Sequence, residues 1–329
     1  MKVIVPLAGR GTRLLPLTKR VPKPLIKVAG RPVMDYVMDV VQGLDVEELI
    51  VIAGHLQDEV KRHVTAQYRI PARFVEQRIL HGTAGAISLA QPYVDGPVLI
   101  VFVDTLFDAD LTPVRASDAD GVIWAKEVED YQRFGVIVTD ARGYMTRIVE
   151  KPSTPISKLA NIGLYHVREW RALYDGIAEV MRRPPGTGGE FYLTDAFQWM
   201  VDQGCRIRVA PVTGWYDCGK VDTLLETNRH LLEHGRARMP EGPSSGCTIV
   251  PPVYIEEGVT LRDATVGPNV AIEAGSDVRD STIANSILGR NVRVVRATVT
   301  DSLVGNDAVI EDQAVVRGIL DAGELAPAR

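Results

Sequence analysis

The spacing of apolar and polar positions changes rhythm twice along this chain. Up to residue 104, apolar runs at 3–7, 49–53, 72–75 and 98–103 read as buried strands of ordinary length. Residues 33–41, 57–64 and 84–90 read as helices between them. Such alternation predicts a largely parallel sheet covered on both faces, with a ligand site where the carboxyl ends of its strands emerge. After Asp104 the runs shorten to strands at 121–128, 135–139, 144–149 and 161–166, separated by turns such as Asp140-Ala141-Arg142-Gly143. These predict an antiparallel addition to the sheet, with helices following at 170–182, 193–203 and 221–233.

Beyond residue 246 the rhythm fits neither strand nor helix. Aliphatic residues recur six apart at Ile255 and Leu261, at Val266, Ile272 and Val278, at Leu288 and Val294, and at Val304 and Ile310. The fragments Val266-Gly267-Pro268-Asn269-Val270 and Leu288-Gly289-Arg290-Asn291-Val292 repeat one another, and Val304-Gly305-Asn306-Asp307-Ala308 echoes them. The pattern resembles the hexapeptide repeat of a left-handed parallel β-helix, one aliphatic residue pointing inward per side of the prism. Uneven spacing between the blocks predicts a few coils with small insertions; a small sandwich of Val-rich strands is the alternative. The expected organisation is an α/β domain over 1–235, a Pro/Gly/Ser linker over 236–246, a β-helix over 247–317 and a disordered tail over 318–329.

Charge and cysteine content narrow the chemistry. A net charge of −5 argues against a nucleic-acid partner, so any phosphate site must be a local cluster of Lys and Arg. Three widely spaced cysteines without a C-x-x-C fit a reducing compartment and exclude a cysteine-rich zinc site. No apolar run approaches the roughly 18 residues of a membrane span, and Met1-Lys2 leads straight into a short strand without a secretory pattern. The expectation is a cytoplasmic protein with no membrane partner.

The first strand runs into Ala8-Gly9-Arg10-Gly11-Thr12-Arg13, followed by Pro16, Thr18 and Pro22-Lys23-Pro24. Two glycines let backbone N–H groups approach an anion, and Arg13 and Lys23 supply charge for a polyphosphate. Leu14 stands where the dinucleotide fingerprint needs its third glycine, and no Walker lysine follows. The whole run, G-x-G-T-R-x-x-P-x-T and then P-K-P, resembles the sugar-phosphate nucleotidyltransferases, and the catalytic half most resembles the glucose-1-phosphate thymidylyltransferases among them.

That resemblance implies a Rossmann-like, mixed but mainly parallel sheet. It also implies an enzyme that joins a nucleoside triphosphate to a sugar 1-phosphate and releases pyrophosphate. Arg13 and Lys23 become the catalytic clamp, with Leu7, Ala8, Gly9, Gly11 and Thr12 along the nucleotide; Lys19 and Arg20 read as solvated loop charges. Asp104 and Asp217, the latter in Trp215-Tyr216-Asp217-Cys218-Gly219, match the family's Mg²⁺ ligands. Val103 stands where many members have glycine, and Asp108 and Asp110 read as solvated acids. Gln77 takes the place of the base-reading glutamine, with Gly82 and Thr83 beside the base. A glutamine amide matches the adjacent N3–H and O4 of thymine or uracil. Guanylyl-transferring relatives, however, share a run like Gly82-Thr83-Ala84-Gly85, which keeps GTP open. Gly135, Glu150, Lys151 and Asn161 fall on the sugar-phosphate side, with Gly163 nearby, while Thr194 and Asp195 sit where they would cap a helix.

dTTP with glucose 1-phosphate is the expected pair; UTP with glucose 1-phosphate, or GTP with mannose 1-phosphate, is the alternative. A non-catalytic subunit that binds nucleotide sugars is a different reading, set against the presence of Arg13, Lys23, Asp104 and Asp217 together. An acyltransferase in the coils would need a histidine base, and all six histidines precede them. The coils are expected to serve oligomer contacts or regulation, the protein being a homo-oligomer. Their removal from about residue 247 is expected to leave the active site intact.

Overall fold

The computed structural model describes residues 1–239, 246–321 and 323–328. They group into two compact bodies, one of Met1–Gly9 with Val37–Trp215, the other of Arg10–Tyr36 with Tyr216–Arg329. In chain order the elements begin with β1 (Lys2–Pro6), β2 (Lys27–Val28), β3 (Arg31–Pro32), α1 (Val33–Val41), β4 (Glu48–Ala53), α2 (Gln57–Gln67), β5 (Ala72–Glu76) and α3 (Gly82–Ser88). Then come β6 (Val98–Val101), β7 (Thr105–Ala109), α4 (Pro113–Ala116), β8 (Gly121–Glu127), β9 (Gly135–Thr139), β10 (Met145–Glu150) and β11 (Leu159–Val167). The series ends with α5 (Trp170–Arg182), α6 (Leu193–Asp202), β12 (Ile207–Asp217) and α7 (Val221–Leu231).

The first body is built on one sheet ordered β5-β4-β1-β6-β11-β8-β12-β7, with β9 joined to β11 and β10. β5, β4, β1 and β6 pair in parallel. β11 then runs antiparallel to both β6 and β8, which is the antiparallel addition the pattern predicts. The parallel strands are uniformly aliphatic because both of their faces are covered. Ile4, Ile50 and Ile52 share a core with Ile87 of α3, Leu173 and Ile177 of α5, and Phe197 and Met200 of α6. On α5 the buried residues Leu173, Tyr174, Ile177 and Val180 recur every three or four positions, which sets the face it turns to the sheet. Each fully buried aliphatic side chain contributes about 1.5–3 kcal/mol.

His166, on β11 between β6 and β8, is buried, and burial holds its pKa down to about 4, with Arg168 adding to the effect. An unfolded chain takes up a proton near pH 6.5 that the folded chain refuses until about pH 4. Stability from this group is therefore lost as pH falls through that window, by up to about 3 kcal/mol. His166→Gln is expected to lose less stability than the parent between pH 7 and 4.5, read from urea midpoints; equal losses in the two proteins would refute the assignment.

The second body contains the coils. Parallel strands stack in three sheets, with Val253 opposite Val270, Thr265 opposite Thr282 and Asp277 opposite Arg293. They form the parallel β-helix expected from the repeats. Inward positions from Ile255, Leu261 and Val266 through Ile310, Val315 and Leu320 fill one aliphatic core. The expected insertions do not occur: each coil advances 16 or 17 residues, short of three full hexapeptides. Corners are turned by residues at positive φ, such as Asp263, Asp280, Arg296 and Asp312 along one edge and Asn269, Asn285, Asp301 and Arg317 along another. Asn and Asp tolerate that conformation best among residues with side chains. Buried serines replace backbone groups at the shortened turns: Ser286 and Ser302 hydroxyl oxygens accept the Ser302 and Gly318 N–H groups at 3.1 Å.

The predicted disordered tail is a correction. Gly318–Asp321 continues the sheet of Val253 and Val270, and Glu324–Pro327 folds back antiparallel on it, because Ile319 and Leu320 keep the inward aliphatic pattern going. Of the predicted linker 236–246, residues 240–245 lie outside the described residues, while Arg238 already bridges to Tyr254. Strands β7 and β12 were not legible in the pattern, since exposed Asp108 and Pro211 interrupt their apolar alternation.

Candidate functional site

In the first body, β1, β4 and β5 end side by side and carry the candidate base-reading residues. Leu7 N donates to Ile52 O at 2.7 Å, and Gln77 N donates to Ala53 O at 2.7 Å. Leu7, Ala8 and Gln77 are buried. A Cβ on Gly54 would lie 3.2 Å from both the Ala8 Cβ and the Gln77 carbonyl oxygen, a tight fit that favours glycine here. The sequence reading passed over it, although a lone glycine directly after a buried strand is a signal for close backbone approach.

Gly82 opens α3 at φ +86°, and a Cβ there would sit 2.6 Å from the Phe191 carbonyl oxygen. Two backbone hydrogen bonds, Phe191 N to His81 O and Ala84 N to Phe191 O, lock this turn to the segment before α6. Thr83 Oγ1 accepts the Leu193 N–H at 2.9 Å. Thr83 therefore joins α3 to the start of α6.

The sugar-side candidates converge tightly. Asn161 Nδ2 donates to Gly135 O at 2.9 Å, and the Tyr165 hydroxyl donates to Asn161 Oδ1. Those two bonds fix which end of the Asn161 amide faces which way. Thr194 Oγ1 donates to Glu150 Oε2 at 3.2 Å, so it orients a carboxylate instead of capping α6. A Cβ on Gly135 would come within 2.3 Å of Asn161 Nδ2 and 3.0 Å of Glu150 Oε2. Lys151, at φ +43°, places Nζ 3.7 Å from Glu150 Oε1 and 5.2 Å from the Tyr192 ring centroid. Burial pushes the Glu150 carboxyl above its ordinary pKa, with Lys151 and then Thr194 opposing. Tyr165 escaped the sequence reading because it meets Asn161, on its own strand, only across the irregularity in β11, and Thr194 reads as a cap in the sequence because its partner Glu150 lies 44 residues away.

β6 ends at Val101, so Asp104 stands in the bend before β7, one residue beyond buried Val103. A bulge in β11 lies beside that bend: the register slips between Asn161 and Tyr165, and Phe102 N donates to Gly163 O at 2.9 Å. Gly163, at φ +80°, permits it, since a Cβ would press on the Phe102 Cβ at 2.9 Å. Asp108 and Asp110 are exposed, as expected of loop acids, although Asp108 lies on β7.

In the second body, Gly11 at φ +61° starts a short 3-10 turn (Thr12–Leu14) that carries Thr12 and Arg13 into solvent. A Cβ on Gly11 would meet Thr18 Cγ2 at 3.0 Å and Lys23 Cβ at 3.1 Å. Thr18 Oγ1 closes the turn by donating to Gly11 O at 3.0 Å. The spacing of glycine, threonine and lysine in the motif is thus a packing requirement. Gly9, the last residue of its segment of the first body, has open space where a Cβ would stand. Asp217 Oδ1 accepts the Gly219 N–H at 2.7 Å, and the Thr227 hydroxyl donates to Asp217 O at 3.2 Å. Lys19 and Arg20 are not simply solvated: they face Glu324, and Asp307 with Asp321, on the coils.

Among the described residues no helix is long and apolar enough to cross a membrane. Residues 2–234 match the family model described as nucleotidyl transferase. The bifunctional protein GlmU of Methanococcus aeolicus is 32% identical over 263 residues, covering 80% of this chain and 62% of its own length. This chain thus spans less than two thirds of that relative. UTP–glucose-1-phosphate uridylyltransferase AglF of Haloferax volcanii is 30% identical, covering 71% of this chain and 97% of its own. A glucose-1-phosphate thymidylyltransferase of Streptomyces griseus is 27% identical across 98% of this chain and 88% of its own. A solved UDP-glucose pyrophosphorylase in complex with UDP-glucose superposes with a TM-score of 0.62 at 22% identity, over 71% of this chain and 98% of that one, which is a likeness of fold.

Proposed function

Because the chain belongs to the nucleotidyl transferase family, we propose that it joins a pyrimidine nucleoside triphosphate, dTTP ahead of UTP, to glucose 1-phosphate with release of pyrophosphate. The observation that carries the pyrimidine is Gln77, buried at the end of β5 beside Gly54 and Ala8. Its amide both donates and accepts, which answers O4 and N3–H of thymine or uracil. A relative that covers 98% of this chain is by its name a thymidylyltransferase, which favours dTTP.

The reaction balances as an in-line displacement. A 1-phosphate oxygen of the sugar attacks the α-phosphorus, the α–β bridging P–O bond breaks, and pyrophosphate leaves with the electron pair. Positioning and charge neutralisation supply most of the catalysis in such transfers. Lys151 neutralises the attacking phosphate, which would otherwise meet another polyanion. Glu150, oriented by Thr194, holds sugar hydroxyls, while Gly135 and Asn161 bound the sugar. Arg13 and Lys23, with the N–H groups of Gly9, Gly11 and Thr12, take the charge of the triphosphate and of the leaving pyrophosphate.

Among the described residues no three or more His, Cys, Asp or Glu side chains gather into a metal cage. Two hard carboxylate donors, Asp104 and Asp217, fit Mg²⁺, which fills its remaining positions with water and phosphate oxygens. Mg²⁺ held by them would offset phosphate charge as the transfer proceeds.

The test is a pyrophosphate-release panel of five nucleoside triphosphates against glucose, mannose, galactose and N-acetylglucosamine 1-phosphates. dTTP or UTP with glucose 1-phosphate is expected to give the highest kcat/KM. Gln77→Ala is expected to lower it by roughly tenfold to a hundredfold for the preferred pyrimidine and much less for purines, the usual cost of one buried hydrogen-bonding group. GTP with mannose 1-phosphate as the best pair would overturn the reading. No turnover with any pair, alongside tight binding of a nucleotide sugar, would make the chain a regulatory subunit.

A further inference from the structure

The segment that carries Arg13 and Lys23 belongs to the same body as the coils, and it is fastened to them at several points. Lys27, on β2, places Nζ 2.7 Å from Glu273 Oε2, and Glu273 is buried. Arg20 lies 3.7 Å from Asp321, which is 3% exposed, and 3.6 Å from Asp307. Lys23 stands between these two fastenings, three residues after Arg20 and four before Lys27. At the turn between β2 and β3, Gly30 lies against the Tyr254 ring so closely that a Cβ would overlap it at 2.1 Å. Asn228 of α7, fully buried, completes the seam: its Oδ1 accepts the Ala29 N–H at 2.8 Å, and its Nδ2 donates to Asn269 O at 3.1 Å.

These contacts differ in what they contribute. A buried carboxylate is costly without a partner, and a buried ion pair adds little net stability over a well-packed apolar pair. What the Lys27–Glu273 pair supplies is register, since Lys27 reaches Glu273 only with β2 seated at one place along the coils. The exposed Lys19–Glu324 pair has no such effect, because solvent screens it. We propose that the coils are the positioning scaffold of the anion clamp: Glu273 and Asp321, acting through Lys27 and Arg20, hold residues 18–27 so that Lys23 and the Gly11 turn present their donors in one geometry. Glu273 and Asp321 are positioning residues and touch no substrate. The inference rests on the reading of Arg13 and Lys23 as the triphosphate clamp. It also reverses the expectation that the coils are dispensable for the chemistry, because their removal strips Lys27 and Arg20 of their partners.

The test uses the full-length chain with Glu273→Gln, Asp321→Asn, the charge swap Lys27→Glu with Glu273→Lys, the exposed control Glu324→Gln, and Arg13→Ala in parallel. Amide hydrogen exchange is followed over 10–36 and over the coils, and steady-state pyrophosphate release is measured with Mg²⁺, dTTP and glucose 1-phosphate. Glu273→Gln and Asp321→Asn are expected to speed exchange in 10–36 and not in the coils. They should lower kcat about tenfold, since small misplacements of charge-bearing groups cost that much or more, with KM for glucose 1-phosphate within twofold. The swap should recover most of the loss, and Glu324→Gln should match the parent. Unchanged exchange and kcat in both variants would overturn the proposal. So would faster exchange throughout the coils, which would mark the residues as merely structural. If Arg13→Ala is impaired while Glu273→Gln is not, only the positioning assignment falls; if Arg13→Ala is as active as the parent, the clamp reading fails and takes the assignment with it.

Discussion

Arg13→Ala is expected to lower kcat for pyrophosphate release by about a hundredfold or more, equivalent to roughly 3 kcal/mol of lost transition-state stabilisation. The side chain is exposed on a short 3-10 turn, so its removal opens no cavity. A fall in turnover without a fall in melting temperature would therefore report the lost charge. Lys23 needs more care, because its stem packs against Gly11. Lys23→Met keeps the stem and removes only the ammonium, and it is expected to match the arginine variant. KM for the sugar 1-phosphate should move little in either case, since the charge acts on the triphosphate and its leaving group. Activity within a factor of two of the parent in both variants would remove the clamp.

The second large effect concerns the acids. Asp217→Asn and Asp104→Asn are each expected to cost about a hundredfold to a thousandfold in kcat, the several kcal/mol that a metal ion contributes to phosphate charge stabilisation. The asparagine at 217 still accepts the Gly219 N–H through its amide oxygen, so the local turn survives and only the anionic charge is lost. Both variants should need more Mg²⁺ for half-maximal rate, and the parent should stop in excess chelator. Full parent activity in chelator, or variants within a few-fold of it, would exclude the assignment. A trapped nucleotidylated enzyme would separately exclude direct displacement.

Much of the fold is legible in local pattern. The amphipathic helices at 33–41 and 170–182 match the structure end to end, because their apolar residues recur at helical spacing and define a face. The parallel strands are equally plain as continuous aliphatic runs. What the pattern obscures are strands whose alternation is broken, β7 and β12, and the length of the coils. A shortened coil keeps its inward aliphatic residues and only resets the interval between them. Whether the interval reflects an insertion or a lost residue depends on where the corner turns, at Asp263, Asp280 and their equivalents.

The candidate site divides along the same line. Residue types that chemistry requires at fixed short spacing, Gly11 with Arg13, Glu150 with Lys151, Asp217 with Gly219, stand together in the sequence because neighbouring backbone places them together. The sequence by itself therefore determined the alternation of strand and helix, the repeat, and which residues bear the charge. Their partners were decided only by the tertiary structure. Thr194 reaches Glu150 across 44 residues and Lys27 reaches Glu273 across 246. Local sequence sets a residue's backbone conformation and the face on which it lies, but which distant side chain it meets depends on how those faces pack. Arg20 shows the difference: in the sequence it is one charge in a polar loop, and in the folded chain it lies beside a buried aspartate because a coil ends there.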